Sequence, residues 1–242
     1  MDTDLSDLSL MQLSDSFFPT GFYTMSNGLE TLFDEKRITD ADDIESFISS
    51  LITNQLGPAD CVALSNTYDF ASSGDIEKVI SADRALYSMK LIKEIRDATC
   101  RSGSQMLKCI KVLVNDNKIL NQYFDAVKNS ETPATHPIVT ALSCNIFGIE
   151  KKRAMLLMLH GFSTSMVGAS LRLGLIDHLQ SQKIIHTLKP LVKKTVEDNI
   201  TKKLNEMWQF TPESDVIQIL HEQKFSKMFI LSLIHISEPT RP

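Results

Sequence analysis

Six histidines and four cysteines are the side chains with which this 242-residue chain could hold a metal ion or attack an electrophile. Their spacing argues against both. His178 and His186 are eight apart in a helical stretch, so they share a face but lie two turns apart, roughly 12 Å at a rise of ~1.5 Å per residue. Imidazoles so placed do not converge on one ion through bonds of ~2 Å. His136 and Cys144 are also eight apart and fail on the same ground. Cys61, Cys100, Cys109 and Cys144 are widely spaced, with no CxxC pair, and read as reduced thiols of a cytosolic protein. The phosphate-binding GxxxxGK[ST], the dinucleotide GxGxxG, the zinc-binding HExxH and the nucleophile elbow GxSxG are all absent from the sequence. The chain is therefore not expected to hydrolyse nucleotide itself. Asn199-Ile200-Thr201 is a glycosylation sequon in form only, since it falls in a helix.

Two further features could carry function without catalysis. Gly161, Ser165, Gly168 and Ala169 place small side chains on one face of a long apolar helix. They serve either close packing against another helix or, with His160, Ser163 and Thr164 nearby, the wall of a narrow polar passage. Arg172 ends that helix between Leu171 and Leu173 and before Gly174. A cation there complements the helix dipole, and a guanidinium framed by two leucines also suits an interface anchor.

The elements that must position these residues are helices. Hydrophobic residues make up 43% of the chain, whereas Gly and Pro number only 9 and 8, a balance that favours an all-α fold over a turn-rich β architecture. The pattern predicts about ten helices in one bundle-like domain over residues 1–230. A short helix runs from Leu8 to Ser14, and Pro19-Thr20-Gly21 is a turn. Ser26 or Asn27 caps the next helix, with Glu30 near its positive end. Thr39 or Asp40 caps a third, and Pro58 opens a fourth that Gly74 ends. Asp75 then caps a helical run over Ile76–Val114, weakened but not necessarily broken at Gly103. Asn117–Val127, Pro137–Phe147 and Glu150–Leu173 follow. Asp177 caps a helix bent at Pro190 and reaching about Met207, and Asp215–Lys224 closes the series.

The formal net charge of −5 conceals an asymmetry. Residues 1–60 hold twelve acids against Lys36 and Arg37, while residues 151–203 hold ten bases against Asp177, Glu197 and Asp198. These are ordinary solvated faces or two surfaces of opposite sign for two protein partners. The acidic total and the scarcity of aromatics in the basic stretch exclude nucleic acid. An acidic N-terminus is unlike a signal peptide. The most apolar window, about Met155 to Ile176, is broken by polar residues and reads as a buried helix rather than a membrane span. Leu231 to Pro242 reads as the in-frame translation of a transposase sequencing adapter, so the natural chain is expected to break off near Ile230, and His235 and Arg241 carry no functional weight.

The most informative stretch is Leu13-Ser14-Asp15-Ser16-Phe17-Phe18-Pro19-Thr20-Gly21, followed by Ser26-Asn27-Gly28-Leu29-Glu30. It resembles the N-terminal signature of the UreF family of urease accessory proteins, here through Asp15, Ser16, Pro19, Gly21, Ser26, Gly28, Leu29 and Glu30. Three more stretches in matching order are similar to that family. They are Lys93-Glu94-Ile95-Arg96 with Gly103, then Ser170-Leu171-Arg172-Leu173-Gly174 before Gln180, and His221-Glu222 with Phe225-Ser226-Lys227-Met228-Phe229. The resemblance runs from Leu10 to Phe229. Departures are local: Phe22 follows Gly21 where the family has Gly-Gly, Met25 replaces an aromatic or His, and Lys227 stands where Arg is usual. An Arg-Ser pair expected after Phe229 is missing.

The resemblance implies an all-α, dimeric, cytoplasmic protein that is not an enzyme. It implies a scaffold that bridges UreD (UreH in some species) and the GTPase UreG, acts with them on urease apoprotein, and couples GTP hydrolysis to nickel insertion. No cofactor would be held tightly, and nickel would at most be in transit. Arg172 would face the GTPase. His178, His221, Glu222, Phe225, Ser226, Lys227 and Phe229 would contribute to partner binding, the phenylalanines as an apolar strip that orders against UreD. Two other readings stay open: a helical adaptor unrelated to urease, and a small helical hydrolase with a Ser or Cys nucleophile and a lone His as base.

Overall fold

Twelve α-helices and no strand make up the computed structural model, which describes residues 3–19, 27–114 and 116–222. The all-α expectation holds. In order they are α1 (Thr3–Ser14), α2 (Leu29–Asp34), α3 (Ala41–Leu51), α4 (Val62–Ser72), α5 (Ile76–Met89), α6 (Lys93–Leu113), α7 (Lys118–Lys128), α8 (His136–Ile146), α9 (Lys151–Arg172), α10 (His178–Thr187), α11 (Lys189–Asn199) and α12 (Pro212–Glu222). A contiguous apolar core runs through them from Leu13 to Ile217.

The centre is built by α4 and α8, which pack along each other, with α6 and α9 also against α8. Both central helices are buried around most of their circumference, over Val62–Thr67 and His136–Cys144. A helix enclosed on every side must satisfy its polar groups internally. Ser65 Oγ donates to the Ile200 carbonyl at 2.7 Å, and Asn66 Nδ2 donates to the Val62 and Lys202 carbonyls at 2.8 and 2.9 Å. These bonds also fix the chain that leaves α11.

Several helix boundaries differ from the sequence reading, the last helix among them, which spans Pro212–Glu222. The first helix begins at Thr3, not Leu8. Pro58 does not open a helix. It lies inside a π-helical segment, Ile52–Cys61, that joins α3 to α4 as one rod. Proline has no N–H to give to the helical ladder. Along this segment the Asn54 carbonyl accepts from the Phe210 N–H at 2.9 Å, and the Pro58 carbonyl accepts from the Trp208 N–H at 3.3 Å. The widened turn thus becomes the docking strip for the extended chain before α12. Gly57 lets α11 approach this rod, because a Cβ there would come within 2.5 Å of Thr195 Cγ2.

The expected run over 76–114 divides at Lys90, whose ammonium turns inward to bond both oxygens of Asp60 at 2.7 and 2.6 Å, with both side chains buried. The backbone leaves the helix at Lys90, with ψ 92°, and α6 begins at Lys93. Gly103 leaves α6 intact. Its missing side chain admits the α7–α8 loop, since a Cβ would lie 2.0 Å from the Ala134 carbonyl oxygen. The expected helix from Asp177 to Met207 also divides, at Leu188, and α11 ends at Asn199.

Asp83 on α5 gathers the α7–α8 loop. It is fully buried and accepts five hydrogen bonds, from Tyr123 Oη, Thr132 Oγ1, the Ala134 N–H, the Thr135 N–H and Thr135 Oγ1. Nothing in the linear sequence marks this aspartate, because its donors come from four residues some forty to fifty positions away.

Candidate functional site

The N-terminal signature is a helix stop followed by a helix start. Asp15 ends α1 through an Asx turn, its Oδ1 accepting from the Phe17 N–H at 2.7 Å and its carbonyl from the Phe18 N–H at 3.0 Å. Ser16 and Pro19 continue that turn. Gly21 and Ser26 lie outside the described residues. The expected Ser26 or Asn27 cap is corrected: the N-cap of α2 is Gly28, at φ 91°, with no side-chain cap. Glycine is required there twice over. The backbone is left-handed, and a Cβ would come within 2.9 Å of Ile217 Cγ2 on α12. Leu29 is then buried in the core and Glu30 points inward beneath α12.

His221 sits in the last turn of α12, only 4% exposed. Its Nδ1 lies 3.0 Å from Glu94 Oε2 on α6, and its Nε2 lies 3.1 Å from Glu30 Oε2 on α2. Three of the four signature stretches therefore meet at one side-chain cluster. The hydrogen bond to Glu94, with that to Glu30 behind it, raises the imidazole pKa above its ordinary 6.5 despite burial. The ring nitrogens point away from each other toward separate carboxylates, so the cluster is not a chelate. Among the described residues no group of three or more His, Cys, Asp or Glu side chains is disposed to hold a metal ion.

Arg172 and His178 form a different surface. Arg172 is exposed in the last turn of α9, and His178 is the exposed first residue of α10. The turn between them is rigid. Asp177 accepts from the Gln180 N–H at 2.7 Å while Gln180 Oε1 accepts from the Asp177 N–H at 2.9 Å, a reciprocal capping box. Leu171, next to the arginine in sequence, and Leu179, next to His178, are exposed. Glu222, next to His221, is exposed. Phe225, Ser226, Lys227 and Phe229 lie outside the described residues, as does the whole of 231–242.

The small-residue face of α9 divides between its two expected roles. Ala169 packs in the core, whereas Gly161, Ser165 and Gly168 line a cavity of about 510 Å³ whose opposite wall includes Ser14, Asp15 and Pro19. Thr164 and His136 also line it, while His160 is exposed on the outside of α9. By length and composition α9 could cross a membrane, yet most of its apolar surface is covered by the other helices.

A catalytic nucleophile finds no support. Burial drives the Cys144 thiol up to about 12 and holds His136, two turns away on α8, down to about 4, so neither a thiolate nor an imidazolium forms there at neutral pH. Cys100 is also pushed up to about 12, by burial and then by the carboxylate of Asp83.

The UreF family model matches residues 38–189. The chain belongs to the UreF family. This member is 35% identical over 230 residues, 95% of its length and 99% of the relative's, to the urease accessory protein UreF of Trichodesmium erythraeum. It is 26% identical over 223 residues, 92% of each chain, to urease accessory protein UreF 1 of Brucella melitensis biotype 1. With the UreF of Corynebacterium glutamicum it shares 25% identity over 230 residues, 95% of its own length and all of the relative's. UreF proteins are accessory proteins and not enzymes. Glu94 is the UreF residue that sequence reading passed over as part of a site. Its signal was its place in the second matching stretch, but only the fold shows that it faces His221.

Proposed function

We propose that this UreF-family protein is a cytoplasmic, non-catalytic scaffold for urease maturation. In this reading it bridges UreD or UreH and the GTPase UreG, works as a homodimer on urease apoprotein, and couples GTP hydrolysis to nickel transfer. The observation that carries the proposal is the similarity along 95% of the chain to a protein named for that accessory role. The surfaces fit it. Arg172 stands on a helix end whose following turn is locked by the capping box, with Leu171 before it and Leu179 after His178 exposed, an arrangement that can steer an acidic partner and fix its register. His221 and Glu222 lead into the tail segment bearing Phe225, Ser226, Lys227 and Phe229, which we assign to UreD. Nickel in transit needs weak, exchangeable ligands such as hydroxyls, carbonyls and water, and the cavity beside Thr164 and Ser165 offers groups of that class.

The test is co-expression with UreD, UreG and urease apoprotein. The protein should co-purify with UreD and UreG and raise urease activity in the presence of nickel and GTP. Arg172→Ala should lower that activation severalfold at an unchanged soluble level and unchanged melting temperature. Elution of the protein alone, with no effect on urease, would overturn the reading. Full activation by Arg172→Ala would remove only the arginine's role.

A further inference from the structure

We propose that Glu30, His221 and Glu94 form a proton-operated clasp that fastens α12 to α2 and α6 and lets it go when His221 loses its proton. The argument begins from donor counting. A neutral imidazole has one N–H and one lone pair, whereas an imidazolium has two N–H donors and no acceptor. Both ring nitrogens of His221 stand within hydrogen-bonding distance of a carboxylate oxygen, at 3.0 and 3.1 Å. Carboxylates only accept, so the imidazolium alone satisfies both contacts. After deprotonation one nitrogen presents its lone pair to a carboxylate, beside Glu30 in the buried half of the site or beside Glu94 in the partly exposed half, and that contact turns from attractive to repulsive.

The setting makes this local switch act on a whole element. The carboxylates belong to two different helices, so the ring ties α12 to both. α2 presents Glu30 and α6 presents Glu94, flanked there by Lys93 and Asp97. On α12 itself, Glu213 pairs with Arg37 at the surface and Asp215 is held by Thr211 Oγ1 at 3.2 Å, while Glu222 is exposed. Among the described residues the other ties of α12 are the surface Arg37–Glu213 pair, the buried Ile217 beneath Gly28, and a hydrogen bond of 3.4 Å from Gln218 Nε2 to the Asn27 carbonyl. Val216, Ile219 and Leu220 face outward. Among the described residues the clasp is therefore the buried charged anchor of a short, half-exposed helix.

The sign follows from the raised imidazole. The contribution is complete below the unfolded-state value near 6.5, and it is lost as pH rises through the higher folded-state value. Within that window each pH unit weakens α12 docking by up to tenfold, and no further change occurs above it. The inference rests on the cluster's own geometry, so its failure would leave the accessory-protein reading intact.

The experiment is hydrogen–deuterium exchange of the full chain between pH 6 and 9, corrected for intrinsic rates, combined with NMR titration of the His221 ring nitrogens. Expected are two protonated ring nitrogens at pH 6, a midpoint above 6.5, and α12 protection that falls with that midpoint while α8 protection stays constant. Glu94→Gln keeps a neutral partner and should move the midpoint down. His221→Gln should make α12 protection independent of pH. A midpoint at or below 6.5, or α12 protection that is flat in the unmodified protein, would overturn the clasp. Both readings on the unmodified chain stand even where a variant fails to fold.

Discussion

At the scale of single residues, this protein depends on polar groups placed where they cannot be exchanged for apolar ones. Asp83 is the clearest. Five donors converge on its two oxygens, and removing the carboxylate strands all of them in a dry interior. Each orphaned donor costs about 1–3 kcal/mol, less whatever relaxation recovers. Asp83→Ala should therefore destabilise the protein by at least about 3 kcal/mol, read as a lowered urea midpoint. A wild-type midpoint in that variant would mean that the α7–α8 loop is held by other contacts. The chain's functional candidates differ from such residues. Arg172, His178 and Glu222 are exposed, so their loss should alter binding while leaving stability nearly untouched.

At the scale of elements, helix ends decide what the surface can present. The α9–α10 turn carries Arg172 on one side and His178 on the other, and the Asp177–Gln180 capping box fixes its geometry. Asp177→Ala removes the acceptor for the Gln180 N–H. The expected loss is about 1 kcal/mol, measured by denaturant titration, and any weakening of the proposed GTPase contact should be smaller than for Arg172→Ala. A loss of stability too small to detect would show that the turn is set by packing rather than by its cap. The π-helical segment follows the same logic. The carbonyls of Asn54 and Pro58 accept from Phe210 and Trp208, so a widened turn in one helix becomes the anchor for the path toward α12.

At the scale of the whole molecule, two histidines titrate in opposite senses. Burial depresses His136 from 6.5 to about 4. A depressed histidine adds stability that is complete above the unfolded-state value and is lost as pH falls toward the folded one. Global stability should thus decline from pH 6.5 toward pH 4, by up to about 3 kcal/mol from this group. Thermal melts at intervals across that range should show it, and His136→Gln should flatten the profile. An equally steep decline in His136→Gln would assign the acid sensitivity to other groups. His221 acts in the reverse direction at higher pH and on α12 locally.

Much of the protein was legible from the linear chain because local rules governed it. The scarcity of Gly and Pro and the recurring helical period pointed to the all-α class, and of the expected caps those at Asp40, Asp75 and Asp177 formed, where their side chains could reach nearby backbone. Four ordered stretches carried the family, because a signature needs only order and spacing to be read. What stayed hidden depends on partners distant in sequence. The ion pair at Lys90 required Asp60 to be opposite it, the glycine at 103 required the Ala134 carbonyl, and the Asp83 hub required a loop from the far side of α7. The meeting of Glu30, Glu94 and His221 required three helices to converge. Residue order records which groups exist and which local turns they favour. Their distances, and therefore their protonation and pairing, arise only when packing brings remote segments into contact.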